Sequence, residues 1–247
     1  FAILMANSDS ERSPFTLIDW NAEEGWVKFI IEEVGRSSAE IGALQKGDRL
    51  AVLSGPLGTP LDLGRFKKGS KALLLGGCYG IAAIYPIARE LKKAGVRTVC
   101  AIEASSSYML YYKDKLASVC DELIVSTRDG SEGRRGGGIN VMEERGAEFD
   151  EIVAIGCVFM MKQCASKAPA DGRDMFCSLN PIMVDGTGMC GACRVTVGGE
   201  TKFACVDGPF FRLDKVDFGE LGKRRSAYRL IEIEAMPRHL NGKCHRG

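Results

Sequence analysis

The chain has 247 residues, 45% hydrophobic and 26% charged, with a formal net charge of +1; that is ordinary for a globular protein and enough for one large or two modest domains. The charge balance excludes the basic excess of a nucleic-acid-binding surface, and no apolar run reaches membrane-spanning length or reads as a signal peptide. Ten cysteines in a chain of this size do not form a secreted disulfide framework; they point to a reducing, cytoplasmic compartment with thiols kept for a metal.

The chain opens at Phe1 with FAILM, an apolar run that starts as though inside a strand, so a preceding amino-terminal piece is expected. Residues 1–66 read as strands and turns: FAILM, FTLIDW, GWVKFIIEEVG and DRLAVLSGP are strand-like, and NSDSERSP is a loop. Their spacing predicts a small antiparallel barrel closed by the stiff turn Gly55–Pro60. Two of its loops suit phosphates. Arg12, Ser13, Pro14, Phe15 and Thr16 set a cation and hydroxyls around a rigid proline. Gly35, Arg36, Ser37 and Ser38 precede a short helix, AEIGAL, whose first N–H groups favour an anion. Each is equally readable as an ordinary cap or a solvated cation.

From residue 67 to 170 strands and helices alternate, which predicts a doubly wound parallel sheet. KALLLGG, RTVCAI, DELIVST and DEIVAIG are the strands; GIAAIYPIARELKKAG, SSSYMLYYKDKLASV, GINVMEERG and FMMKQCASKA are the helices. Pro86 moves the start of the first helix toward Tyr85. Gly76, Gly77 and Gly80 form a G-G-x-x-G junction, suited to a pyrophosphate or simply to a tight turn. Asp129, Gly130 and Ser131, and Gly156 with Cys157, end two further strands. All three loops share the edge where ligands of open sheets bind. Glu103 reads as a surface glutamate, with contact to a ribose as the other option.

Residues 171–216 break this rhythm and carry the most specific pattern. Cys190, Cys193 and Cys205 follow Asp185 as D-x4-C-x2-C-x11-C in a glycine-rich run. Plant-type [2Fe–2S] proteins use C-x4-C-x2-C with a distant fourth cysteine, so an aspartate stands where a first thiolate is usual. Glycines around it suit a loop whose N–H groups approach sulfur. A zinc knuckle usually brings a second close-spaced ligand pair, and a redox C-x-x-C opens a helix, whereas this one opens a strand. Asp185 has a plain alternative as a turn residue, with Cys177 or a partner chain completing the site. RVTVGG and TKFACV read as a hairpin. In the tail, residues 217–247, Lys223, Arg224 and Arg225 read as a solvated face, and Cys244 and His245 as a free end.

The order of a flavin-type barrel, a nucleotide-type α/β unit and a carboxy-terminal cluster lobe resembles the ferredoxin-reductase superfamily. The chain is similar to the electron-transfer subunits of dihydroorotate dehydrogenase B, and closer to the small subunits of NADH-dependent ferredoxin–NADP oxidoreductases. The run Ser178 to Met183 leading into Asp185 and Cys190 carries the resemblance most specifically. It implies that Asp185, Cys190, Cys193 and Cys205 hold the cluster. It further implies that Arg12, Pro14, Phe15 and Thr16 are the flavin motif and that Gly35–Ser38 meet the FAD pyrophosphate. Gly76, Gly77, Gly80, Asp129, Gly130 and Ser131 would meet NAD(P)H, with Gly156 and Cys157 facing the nicotinamide as the catalytic edge.

The implied protein is a flavin and iron–sulfur oxidoreductase subunit, active with a larger flavin/iron–sulfur partner and associated with electron bifurcation. Three departures stand against full carry-over. Cys78 and Ala83 replace a glycine and a proline of the family loop, and Arg128 stands where an acidic residue is common. These support an alternative: a relay or docking subunit that has lost dinucleotide binding.

Overall fold

Three strands and a ribbon open the chain. In the computed structural model, which describes residues 1–168 and 173–235, β1 (Ala2–Met5) pairs antiparallel with β2 (Ser13–Phe15) and later with β5 (Val52–Ser54). Between these, β3 (Asp19–Asn21) and β4 (Trp26–Lys28) form a separate ribbon, and α1 spans Arg36–Gly42. FTLIDW is thus two strands rather than one, and GWVKFIIEEVG is strand only over Trp26–Lys28. Its Ile30 and Ile31 line a cavity instead of continuing a ladder, which is why the apolar run outlasts the strand.

The chain then lays down β6 (Lys71–Gly77), α2 (Tyr85–Lys93), β7 (Arg97–Ala104), α3 (Lys113–Val119), β8 (Glu122–Thr127), β9 (Arg134–Arg135), α4 (Gly138–Arg145), β10 (Glu151–Ile155) and α5 (Val158–Ser166). α2 starts at Tyr85 with Pro86 in its first turn, where a missing N–H costs nothing. Alternate residues of β6 face opposite layers. Leu73 and Leu75 pack with Val141, Met142 and Met161 on one side; Ala72 and Leu74 pack with Ile84, Ala88 and Leu91 on the other. Burial on both faces explains why KALLLGG is continuously apolar. Each of Leu73, Leu74 and Leu75 is fully buried, a contribution of about 1.5–3 kcal/mol apiece.

SSSYMLYYKDKLASV is not one helix. Ser107–Met109 make a single tight turn, Tyr112 takes a left-handed φ of 62°, and only Lys113–Val119 are α-helical. Tyr112 stacks edge-on against Tyr85 at 5.2 Å, so a packed aromatic pair overrides local helix preference.

The sheet also continues past residue 170. β11 (Met175–Ser178) adds parallel to β10; after a hairpin of β12 (Arg194–Val197) and β13 (Glu200–Phe203), β14 (Phe210–Arg212) returns antiparallel to β11. The seven-stranded order is β14–β11–β10–β6–β7–β8–β9. The cysteine-rich lobe is therefore an excursion between two strands of the main sheet and is anchored at both ends. β11 was hidden because MFCS is short and lies beside the change in rhythm. The tail adds α6 (Phe218–Arg225) and α7 (Arg229–Ala235). His239, Cys244 and His245 lie outside the described residues. Among the described residues no helix is long and apolar enough to cross a membrane.

Candidate functional site

The strand order reverses at β6. The chain steps outward from β6 to β7 and β8, then returns to place β10 on the other side of β6. A crevice opens beyond the carboxyl ends of strands at such a switch point, and Gly77–Cys78 and Gly156–Cys157 stand there. The glycines are needed for close approach. A Cβ on Gly80 would lie 2.1 Å from the Ile155 carbonyl oxygen, and one on Gly77 or Gly156 2.5 Å from Met160 Sδ. Gly76 is similarly enclosed by Ile81 and Ile84. The G-G-x-x-G run thus serves the packing of β6 against β10.

Cys78 holds a left-handed φ of 52°, a conformation that favours glycine. Its thiol interacts with that of Cys157, which together with burial pushes its pKa well up. Cys157 caps α5, with its sulfur 3.5 Å from the Met160 N–H. Interaction with Cys78, the α5 N–H groups and the Arg128 charge bring the Cys157 thiol down to about 5 against burial.

Glu103 is not a free surface glutamate. It is half-buried, and its carboxylate accepts the Gly138 N–H at the start of α4. Burial raises its pKa against that bond. Asp129, Gly130 and Ser131 close a turn in which Asp129 Oδ1 accepts the Ser131 N–H (2.9 Å) and hydroxyl (2.6 Å). Those bonds hold its carboxyl down to about 2. Ser131 Oγ in turn accepts the Ser107 N–H at 2.8 Å, so this turn fastens the loop that follows β7.

Two adjoining cavities of about 360 and 420 Å³ lie between the antiparallel strands, β6–β10 and the excursion. Both are lined by Phe1, Thr16, Ala83, Ile155, Ser178 and Pro209. Pro14, Phe15, Tyr79, Asn180 and Arg225 line the first. Gly35–Ser38 stand just beyond it, past Val34, which lines it. The Ser38 hydroxyl accepts the Val34 and Gly35 N–H groups, and Arg36 pairs with Glu40 at 2.8 Å.

Arg224 and Arg225 are not a solvated face. Arg225 lines the cavity beside Tyr79, and Arg224 Nη2 donates to the Ala192 carbonyl of the cysteine loop at 3.1 Å. A charged triplet gives no sign of this, because it depends on the angle at which α6 docks. Tyr79 and Asn180 meet at the cavity wall, a contact the sequence does not announce. Tyr79 donates to the Gly156 carbonyl at 2.9 Å and receives the Asn180 amide N–H. The buried Asn180 Oδ1 has no partner.

In the excursion, Gly186, Gly188 and Gly191 have φ of 76°, 88° and 68°. These let the loop fold tightly around the Asp185 carboxylate, which accepts N–H groups from Thr187, Met189 and Cys190 at 3.1, 2.8 and 3.0 Å. Desolvation opposes its charge, but these bonds outweigh it and hold the carboxyl well below the usual range. The four candidate ligands stand in two pairs. Cys190 Sγ lies 3.4 Å from Asp185 Oδ1, and Cys193 Sγ 3.2 Å from Cys205 Sγ. Backbone N–H groups of Ala192 and Cys205 each point to a sulfur at 3.5 Å. Cys177 is elsewhere: it is fully buried on β11, with its thiol toward the Phe211 carbonyl. Arg12 Nη2 donates to the Asp185 carbonyl at 3.2 Å, tying β1–β2 to this loop.

Residues 180–217 match the iron–sulfur cluster binding domain of dihydroorotate dehydrogenase B. A dihydroorotate dehydrogenase B (NAD(+)) electron-transfer subunit homolog from Thermotoga maritima is 42% identical, over 97% of this chain and 84% of its own length. The chain belongs to this electron-transfer subunit family. The subunit from Bacillus caldolyticus is 35% identical over 83% of the chain and 79% of its own length. A solved structure of NADH-dependent reduced ferredoxin–NADP oxidoreductase, described in terms of flavin-based electron bifurcation, superposes with a TM-score of 0.87. It shares 41% identity and covers 95% of this chain and 84% of its own. Phthalate dioxygenase reductase, at 14% identity and a TM-score of 0.52, shares the ferredoxin-reductase-like fold. As a family member, the protein is an electron-transfer subunit that works within a multi-subunit oxidoreductase.

Proposed function

We propose that this subunit passes electrons between NAD(P)H and a larger cytoplasmic partner subunit by way of FAD and a [2Fe–2S] cluster. When bound, the flavin exchanges electron pairs for single electrons and the cluster carries one at a time. The observation that carries the reading is the two-by-two arrangement of donors. Each iron of a binuclear cluster takes two protein ligands, and Asp185 with Cys190, and Cys193 with Cys205, supply two such pairs. A mononuclear zinc site needs its ligands around one point; among the described residues no group of three or more histidines, cysteines or acids is so arranged.

The cavities suit an isoalloxazine ring. They combine apolar walls with the Arg225 cation, which favours added electron density. Pro14, Phe15 and Thr16 wall the same space, with Arg12 and Gly35–Ser38 beyond it for the phosphates. Arg12, bonded to the Asp185 carbonyl, fixes the distance between flavin and cluster sites.

The nicotinamide is assigned to the switch point beside Gly77, Gly156 and Cys157, with Gly76 and Gly80 packing β6 against β10 beneath it and Asp129–Ser131 at a neighbouring strand end. Equilibrium dialysis of NADH and NADPH against the holo-complex tests this part. Binding of either below millimolar concentration is the expected result. No binding at millimolar levels would favour a relay subunit, the reading that Cys78 in a glycine conformation supports.

Asp185 has its own prediction. Asp185→Cys should keep the cluster and shift its potential, whereas Asp185→Ala should weaken assembly, because a ligand and the anchor of three N–H groups are both removed. An unchanged spectrum and potential in both variants would contradict the assignment.

A further inference from the structure

Cys157 edges the proposed nicotinamide site, and the Cys78 thiol beside it has no role there. Cys78 and Cys157 follow neighbouring parallel strands, each two residues beyond the Ile155–Gly76 pair. Adjacent strands lie about 4.8 Å apart, within the Cα separation of roughly 4.4–6.8 Å that a disulfide spans. A Cβ on Gly156 would lie 3.4 Å from Gly77 Cα, so the backbones are already close at the preceding residues. Both cysteines are free and half-buried, hence within reach of a small molecule. A second pair, Cys100 and Cys120, is buried beneath α2 and α3 and has no such access.

We propose that Cys78 and Cys157 are a reactive dithiol that exchanges with low-molecular-weight disulfides and closes to a Cys78–Cys157 disulfide across the switch point. The Cys157 thiolate attacks one sulfur of the small disulfide. Its S–S bond breaks, and the departing thiolate takes a proton from solvent. The Cys78 thiol then gives up its proton as its sulfur attacks Cys157 Sγ, and the second small thiol leaves. Two protein thiols are oxidised and one small disulfide is reduced to two thiols. Cys157 is the attacking member because interaction with Cys78, the α5 N–H groups and Arg128 favour its thiolate; Cys78 resolves, since the same interaction and burial hold its proton. This holds whether or not a dinucleotide binds in the crevice.

The test uses the full chain, purified anaerobically with its cluster loaded, and 2-hydroxyethyl disulfide as the probe. Free thiols are alkylated, and the non-reduced digest is mapped by mass spectrometry. The expected product is a crosslink between the peptides carrying Cys78 and Cys157, with the mass of two hydrogens lost and reversed by a dithiol reductant. Cys78→Gly, which suits the left-handed backbone, should stop at a mixed disulfide on Cys157. At pH 6 Cys157 should react roughly tenfold faster than an ordinary thiol, as its greater thiolate fraction exceeds its loss of intrinsic nucleophilicity. Both thiols recovered fully alkylated after prolonged exposure would overturn the proposal. So would an adduct at Cys78 rather than Cys157, or a rate at pH 6 no faster than that of an ordinary thiol.

Discussion

Cys193→Ala is expected to leave the purified subunit nearly devoid of cluster iron and sulfide and to stop electron delivery to the partner. Cys193 Sγ sits 3.2 Å from Cys205 Sγ, and both thiols are buried in the lobe, so no exposed substitute can move in. Loss of an outer hydrogen-bond partner of a metal site already costs roughly 10–100-fold in affinity, and loss of a ligand costs more. Cys177→Ala is the matched control. Cys177 is the other cysteine near this stretch, yet it is fully buried on β11 with its thiol toward the Phe211 carbonyl, and burial pushes its pKa far up. Its removal should leave iron content unchanged. Iron and acid-labile sulfide counted on both variants check the pair; retention of cluster by Cys193→Ala would be fatal to the ligand set.

The second large effect is expected from Gly80→Ala. The new methyl would lie 2.1 Å from the Ile155 carbonyl oxygen and 2.9 Å from the Gly156 nitrogen. These are backbone atoms of β10 and the turn that follows it, so no side chain can rotate away. Relief requires the β6 turn and β10 to separate. Overpacking of this kind costs about 1–3 kcal/mol, and backbone contact places this case at or above the upper end. Urea unfolding should show a lowered midpoint with an unchanged slope. Nucleotide binding should weaken in step, since Gly77 and Gly156 flank the same crevice. A midpoint equal to wild type would show that the junction is looser than it looks.

The α/β unit was legible because its strands are apolar on both faces and its helices carry their own stops; Pro86 moved the expected start of α2 toward Tyr85, where it begins. The spacing of Asp185, Cys190, Cys193 and Cys205 likewise pointed to one loop, and the glycines between them do take left-handed conformations. Other features were set by tertiary packing. Tyr112 breaks a helix pattern to meet Tyr85. Ile30 and Ile31 line a cavity. β11 is too short to announce that the sheet continues beyond the cysteine lobe's start. Arg224 and Arg225 looked like solvent-facing charge, and only the docking of α6 turns one toward the cysteine loop and the other toward the cavity. Glu103 shows the same limit, since its partner, the Gly138 N–H, is 35 residues away.

Low-temperature EPR on anaerobically purified, dithionite-reduced protein, with iron and sulfide counted on the same sample, tests the central claim most directly. A rhombic signal from one reduced cluster is expected, with iron equal to sulfide, arising from donors paired as Asp185–Cys190 and Cys193–Cys205. A silent spectrum from a protein that contains zinc in place of iron would contradict it.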